Sequence, residues 1–272
     1  MDDVQKDYFY KMKEALKITL VQADLIWQQP EANRVHFTEM IARVEADSDV
    51  VVLPEMFSTG FTMNPNTVAE TMDGETVVWM KEMARQKQVA IMGSVIIVEN
   101  DLYRNRFIFV MPSGEIVTYD KRHSFTLAGE DKTYAAGKER VVIDYLGWKW
   151  CPMICYDLRF PVWSRNTQDF DALIYVANWP QPRINAWDAL LKARAIENMC
   201  YCIGVNRIGE DPNGHRYPGH SSVYDVLGAE LVNMKHGNEG LETIILNKHH
   251  IETNRKKLGF LKDRDLFTLQ EE

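Results

Sequence analysis

Several things are scarce in this sequence, and each absence closes off a class of protein. No apolar run approaches the roughly 20 residues that a membrane-spanning helix needs. The opening stretch, MDDVQKDYFYKMKEALK, is charged and holds no apolar core of the secretory-signal kind. Cysteine is rare, with four in 272 residues. So few thiols make no disulfide framework and fit a reducing, cytoplasmic location. Cys151 and Cys155 share one strand face, as do Cys200 and Cys202, but neither spacing is the two-residue gap of zinc knuckles. No metal or other cofactor is expected. Basic residues are outnumbered, 31 Lys and Arg against 39 Asp and Glu, for a net charge of -8. Nucleic acid is therefore excluded as the main partner, since phosphate binding needs a basic face. An anionic substrate must instead be met by a local cation. P-loop and serine-protease signatures are missing too, as are repeats, low-complexity tracts and Pro/Gly/Ser linkers. The expectation is one domain over residues 17–272, after an N-terminal extension over 1–16 read as an added helix.

What is present is the composition of a soluble globular enzyme, 46% hydrophobic and 26% charged. KITLVQADL (17–25) reads as a first strand and VVVLPE (50–55) as a short strand buried on both faces. Residues 31–46 carry a helical pattern with Val35, Met40, Ile41 and Val44 on the apolar side. Residues 75–88 form a second helix. VAIMGSVIIV and LYRNRFIFVM are paired strands joined at Glu99-Asn100-Asp101, followed by IVTYD. VVIDYLGWKWCPMIC holds two strands joined at Gly147, and a helix is expected after Pro161. ALIYVAN, a helix over 185–200 with Asn185 as its cap, four more strands (YCIGVNRI, SSVYDV, AELVN, LETIIL) and the basic helix KHHIETNRKKL complete the chain. Strand and helix alternate with several direct strand-to-strand steps. That pattern implies an α/β fold of mixed sheets covered by helices.

Three apolar strands end in chemically useful residues: Glu55 after VVVLP, Lys121 after IVTYD and Cys155 after WKWCPMI. A strand end holds a side chain rigidly at the rim of a cleft. A thiol supplies a nucleophile, a carboxylate among apolar residues a base, and a fixed ammonium an oxyanion partner. Each has a duller alternative. Glu55 is placed to cap the next turn, Lys121 sits in the charged cluster DKRH, and free cysteine is commonly buried and inert. His123 offers a Cys–His peptidase reading, and Arg159 is read as an ion-pair partner of Asp157. Met56, Phe57, Phe61, Met63, Phe125 and Trp179 flank these positions. Phe61 and Trp179, in Gly- or Pro-bearing loops, are the preferred substrate contacts. Arg183 is the preferred clamp for a carboxylate, ahead of Arg122, and Arg207 is read as a sheet-end or dimer-interface residue.

LPEMFSTGF around Glu55, YDKRHSF around Lys121 and MICYDLRFPVWSR around Cys155 resemble the three signature segments of the nitrilase superfamily. The likeness runs from about residue 17 to 247. It implies a four-layer αββα sandwich with two mixed β-sheets, a homodimer and a small-molecule amide substrate. It also implies that Glu55 is the general base, Lys121 the oxyanion partner and Cys155 the nucleophile. Glu130, in LAGEDKTYAAG, would orient Lys121, and the Tyr156 N–H would be the second oxyanion donor. EMFSTGFTMNP, RHSFTLAGEDKTYAAG, CYDLRFPVWSRN, YVANWPQPR and ARAIENMCYCIGVNR are similar to bacterial omega-amidases, which hydrolyse the ω-amide of α-keto acids such as 2-oxoglutaramate. Other chemistries of the superfamily (aliphatic amidase, nitrilase, N-carbamoyl hydrolase) and a silent scaffold are the competing readings.

Overall fold

The computed structural model describes residues 12–269 apart from 236. The first half of the chain runs β1 (Ala15–Gln22), α1 (Pro30–Ala42), β2 (Val50–Val52), α2 (Glu75–Lys87), β3 (Ala90–Glu99), β4 (Leu102–Val110) and β5 (Ile116–Asp120). It continues with β6 (Ile143–Tyr145), β7 (Trp148–Ile154), β8 (Ala172–Ala177), α3 (Ile184–Asn198) and β9 (Tyr201–Asn206). The hairpin β10 (Ile208–Glu210) and β11 (Arg216–Pro218) follows, then β12 (Ser222–Tyr224), β13 (Glu230–Asn233), β14 (Gly240–Asn247) and α4 (Lys248–Leu258).

Two six-stranded sheets result, ordered β14-β1-β2-β3-β4-β5 and β13-β12-β9-β8-β7-β6. Both are mixed. β1, β2 and β3 run parallel, as do β7, β8 and β9, and the flanking strands pair antiparallel. The period of two along each strand sorts side chains into layers. Leu16, Ile18, Leu20, Val50, Val52, Phe107 and Phe109 point from the first sheet into a core shared with Trp148, Met153 and Val176 of the second. Val21, Val51, Ile91 and Ile108 face the other way, onto Phe37 and Met40 of α1 and Met80 of α2. Trp187, Leu191 and Ala195 cover the second sheet from α3. The αββα order of layers follows directly, as expected.

The same alternation positions chemistry. Ser94 lies in register with Ala90 and Met92 on the inner face of β3, and Asn105 with Phe107 and Phe109 on β4. Both are buried, at the sheet end where β5 delivers Lys121. The β3–β4 link is a two-residue hairpin, with Asn100 and Asp101 both at positive φ (51° and 60°). That left-handed geometry matches the strand twist, and Asn and Asp tolerate it.

Four expectations are corrected. Val35 is 57% exposed, and Asn33 and Phe37 take the buried face of α1, which ends at Ala42 and leaves Val44 in the turn beyond. Met40, Ile41 and Val44 are buried as expected, so the phase of the apolar face holds and Val35 alone falls outside it. No helix follows Pro161: Cys155–Arg159 is a single 3-10 turn and the next segment is irregular, so no α-helix dipole faces the thiol. Asn185 does not cap α3, which begins one residue earlier with Arg183 at the cap position. The first strand starts two residues before the expected Lys17, at Ala15, and Lys13 already hydrogen-bonds through its backbone to Leu146 and to the Trp148 indole. The added helix, where it falls on residues 1–11, lies outside the described residues. None of the described helices is long and apolar enough to cross a membrane.

Candidate active site

Cys155 directly follows β7 with φ at 44°, a left-handed backbone that a non-glycine residue rarely adopts. A buried carboxylate enforces this turn. Asp157 accepts hydrogen bonds from the Ile154 N–H (2.9 Å), the Tyr119 hydroxyl (2.7 Å) and the His123 N–H (3.0 Å), and also engages His123 Nδ1 at 2.8 Å. Asp157 is therefore spent on fixing the turn, which corrects its assignment as the partner of Arg159. His123, tied to Asp157 and stacked on Phe160 (3.7 Å between centroids), is not part of the cavity wall, so the Cys–His peptidase reading fails.

Three further expected residues converge on the sulfur. Glu55, two residues past the short apolar β2-Leu53 run, is fully buried and does not cap a helix. Lys121, directly after β5, is 3% exposed, so DKRH is not a solvated turn at its first cation. Its ammonium donates to Glu55 Oε1 (3.1 Å) and to both oxygens of Glu130 (3.0 and 2.9 Å). Glu130 in turn accepts from the Phe125 N–H at 2.5 Å, which anchors it from its own loop. Glu55 is held on two more sides, by Asn105 Nδ2 at Oε1 (2.8 Å) and by the Asn178 backbone N–H at Oε2 (2.8 Å). Asn178 also donates its side-chain amide to the Glu55 carbonyl (2.7 Å).

The electrostatics follow from burial against charge. Burial pushes the Cys155 thiol well above its ordinary range, and the charge of Glu55 and a hydrogen bond to it push the same way; Lys121 opposes them and loses. The resting nucleophile is a neutral thiol beside a carboxylate. Burial alone would lower the Lys121 ammonium, but Glu130 and Glu55 reverse this and keep it charged. Burial raises Glu130, with Lys121 pulling back. Cys151, four residues earlier on β7, is pushed up to about 12 by burial in the core.

Cys155 and Lys121 open onto a cavity of about 710 Å³, within the range of small-molecule sites. Phe61, Tyr156, Trp179 and Arg183 all line it, as do Met63 and Phe125. The Phe61 ring lies 5.1 Å from the Lys121 ammonium. Met56 and Phe57 are packing residues instead: Met56 sits against Val68 and Ile96, and Phe57 against Phe37 and Trp79. Arg122 turns away to the Gly137 carbonyl and the Trp163 ring. Arg207 is fully buried and paired with Asp24 at 2.6 Å, inside the fold.

Sequence reasoning missed Arg159. Its guanidinium lies 5.0 Å over Trp179, as that of Arg183 lies 5.1 Å over Phe125. Neither has an ion-pair partner among the described residues. Its position four residues past the cysteine, in a tight turn, was the available signal. Asn105 and Asn178 were missed as well. An asparagine inside the strand run LYRNRFIFVM is a polar residue where β-formers are favoured, which marks it in retrospect. Among the described residues, no group of three His, Cys, Asp or Glu is arranged to hold a metal ion.

A family model described as Carbon-nitrogen hydrolase matches residues 17–254. The chain belongs to the carbon–nitrogen hydrolase family. Among curated members it is 44% identical over 256 residues to "Omega-amidase YafV" of Yersinia enterocolitica, covering 93% of this chain and 98% of that one. It is 34% identical over 219 residues to the "2-oxoglutaramate amidase" of Bacillus subtilis, covering 79% and 84%. A CN-hydrolase superfamily protein of Xanthomonas campestris, whose crystal structure carries an arsenic adduct in the active site, superposes with a TM-score of 0.92 at 39% identity, over 95% of this chain and all of that one. A carbon–nitrogen hydrolase from Helicobacter pylori shares the fold at a TM-score of 0.85 and 21% identity, covering 92% and 95%.

Proposed function

We propose that this carbon–nitrogen hydrolase is an omega-amidase that converts 2-oxoglutaramate to 2-oxoglutarate and ammonia through a thioester on Cys155. One observation carries the reading. A single cavity joins the Cys155 thiol, beside Glu55 and Lys121, to two arginines, Arg159 and Arg183, that have no carboxylate partner among the described residues. A small amide bearing a carboxylate at its far end satisfies both ends at once. The names of the similar curated proteins point the same way.

In this mechanism Glu55 takes the thiol proton as Cys155 Sγ bonds to the amide carbon. The carbonyl oxygen becomes an oxyanion between the Lys121 ammonium and the Tyr156 N–H, which lies in the first turn of a 3-10 helix and is not needed by that helix. Glu55 passes its proton to the nitrogen, the C–N bond breaks, and ammonia leaves. Water then attacks the thioester while Glu55 accepts its proton, and the proton returns to sulfur as the carboxylate departs. Glu130 holds Lys121 in place throughout. Water is the only co-reactant.

The test is ammonia release from open-chain 2-oxoglutaramate beside glutamine, a simple nitrile and a carbamoyl amino acid. The keto-acid amide should be hydrolysed far faster than the others, and Cys155→Ala should release none. Preference for a neutral amide or nitrile would overturn the substrate, and stoichiometric Cys155 labelling without hydrolysis of any of them would leave a silent scaffold. A homodimer in the cytoplasm is the matching assembly and location, checked by sedimentation of the purified chain and by cell fractionation.

A further inference from the structure

The hydrogen bonds around Glu55 can be followed donor by donor. The Met56 N–H donates to Ser94 Oγ at 2.8 Å, so this hydroxyl is already an acceptor. Its own proton goes to Asn105 Oδ1, 2.8 Å away. The Asn105 amide is thereby oriented without ambiguity, with its carbonyl toward Ser94 and its NH2 toward the carboxylates. It donates to Glu55 Oε1 at 2.8 Å and leans toward Glu130 Oε1 at 3.5 Å. Oε1 of Glu55 also accepts from Lys121, so both of its in-plane lone pairs are engaged. Oε2 takes the Asn178 N–H at 2.8 Å and only a long contact, 3.4 Å, from the Asn178 side-chain amide, which is directed mainly at the Glu55 carbonyl (2.7 Å), so Oε2 is the less engaged of the two oxygens. The backbone carbonyl of Asn105 also accepts the Lys121 backbone N–H at 3.0 Å, tying the two charged residues to one point on β4. Ser94 is 0% exposed and Asn105 1%.

We propose that Ser94 and Asn105 form a polarity lock: Ser94 fixes the direction of the Asn105 amide, and Asn105 occupies Glu55 Oε1, so that the Cys155 proton is always delivered to Oε2. Asn105 and Ser94 are positioning residues, since neither lines the cavity. Without the lock the Asn105 amide can turn its carbonyl toward Glu55. That carboxylate then rotates out of line with the sulfur. The titratable groups facing Glu55 are Lys121, Glu130, Cys155 and Tyr134; the Tyr134 hydroxyl is committed to the Thr62 carbonyl, and the neutral amide of Asn178 serves the Glu55 carbonyl and Oε2, so Asn105 is the neutral donor at Oε1. This inference rests on Glu55 acting as the base.

The test uses Ser94→Ala, Asn105→Asp and the double variant, each checked for folding by circular dichroism. Two rates are measured: hydrolysis of 2-oxoglutaramate, and carboxamidomethylation of Cys155 by iodoacetamide. In the second reaction the S–C bond forms, iodide leaves, and the thiol proton must go to Glu55, with no amide substrate involved. Each single variant should slow alkylation per folded thiol, and lower kcat, about tenfold or more, with KM within about threefold. The double variant should lose no more than Asn105→Asp alone, because Ser94 acts through Asn105. Unchanged alkylation, a pure KM effect, or additive losses would overturn the lock. If Asn105→Asp does not fold, the rate and KM readouts of Ser94→Ala decide the matter alone. Should the wild type alkylate readily yet spare every amide, the substrate proposal fails while the alkylation test of the lock still stands.

Discussion

The two ends of the cavity are built on opposite terms. At the reacting end Glu55, Lys121 and Glu130 are sealed into one another, with Asn105 and Asn178 supplying the remaining donors. At the far end Arg159 and Arg183 lie on the faces of Trp179 and Phe125 and meet no carboxylate among the described residues. A cation over a ring is held, but its hydrogen-bond fork remains free for an oxyacid. The contrast separates two kinds of work. Groups that move protons must not rearrange, so their partners are internal. Groups that recognise a substrate must exchange one partner for another, so their holding contacts are weak and undirected.

Breaking the reacting end should cost most. Cys155→Ala removes the bond-forming atom, and turnover of the keto-acid amide should fall by at least about 10⁴-fold with the fold intact. The neutral resting thiol makes a linked claim. Because burial and Glu55 hold the thiol well above its ordinary value of 9.0, no thiolate absorbance should separate wild type from Cys155→Ala at neutral pH. A 240 nm difference spectrum measures this, and a full thiolate signal would mean that Lys121 outweighs the carboxylates after all.

Lys121→Met is the next largest effect, and it should show in both rate and stability. Loss of an oxyanion donor costs about 10²–10³ in kcat with little change in KM. It also leaves Glu55 and Glu130 buried without their shared cation, a loss of about 3–5 kcal/mol by denaturant titration. The pH dependence of that loss has a definite sign. Glu130 is already raised above its ordinary 4.5 by burial, and removing Lys121 takes away the charge that opposes the rise. The folded variant then holds a proton that the unfolded chain releases, so stability should fall as pH rises from 4.5 through the folded-state value. Stability that instead climbs over this window would show that Glu130 stays ionised without its partner.

At the recognition end the effect should move from kcat to KM. Arg159→Ala and Arg183→Ala should each raise KM for 2-oxoglutaramate by about ten- to a hundredfold, the loss of a charged hydrogen bond, while kcat changes little. A neutral amide of similar length should feel neither substitution. If both variants keep the wild-type KM, the carboxylate is held elsewhere and the two ends are not divided as described.

This division also governs what could be read from the sequence. Glu55, Lys121 and Cys155 were legible because each terminates an apolar strand, and strand ends are visible as breaks in pattern. β5, β7 and α4 fall where composition places them, and the Asn100-Asp101 turn announces itself through residues that accept positive φ. Arg159 was misassigned because Asp157, two residues away in sequence, looked free; its four partners come from Tyr119, His123 and Ile154, and only the folded turn reveals them. The helix after Pro161 failed for a related reason. Ser164 and Asn166 are fully buried and bonded to Tyr175, Phe170 and Asn198, so tertiary hydrogen bonds replace the helical ones that local propensity favours. Ser94 and Asn105 read as flaws in strands until the facing sheet is in place.

The smallest predicted effect tests the boundary between the two ends. Tyr134 donates its hydroxyl to the Thr62 carbonyl at 2.6 Å, next to Phe61, the ring over Lys121. Burial and the charge of Glu130 keep this phenol protonated, so it is always a donor. Gln28 grips the same loop from the other side, through Thr62 Oγ1 at 2.7 Å and the Thr59 carbonyl at 2.8 Å. Tyr134→Phe should therefore loosen the loop without releasing it. The expected cost is about 1 kcal/mol, or roughly 2–4 °C in Tm by calorimetry. KM should rise about two- to fivefold through the shifted Phe61 wall, with kcat unchanged. A fall in kcat with KM intact would move Tyr134 to the proton-transferring side, as a member of the Glu130 cluster and not a fastening of the wall.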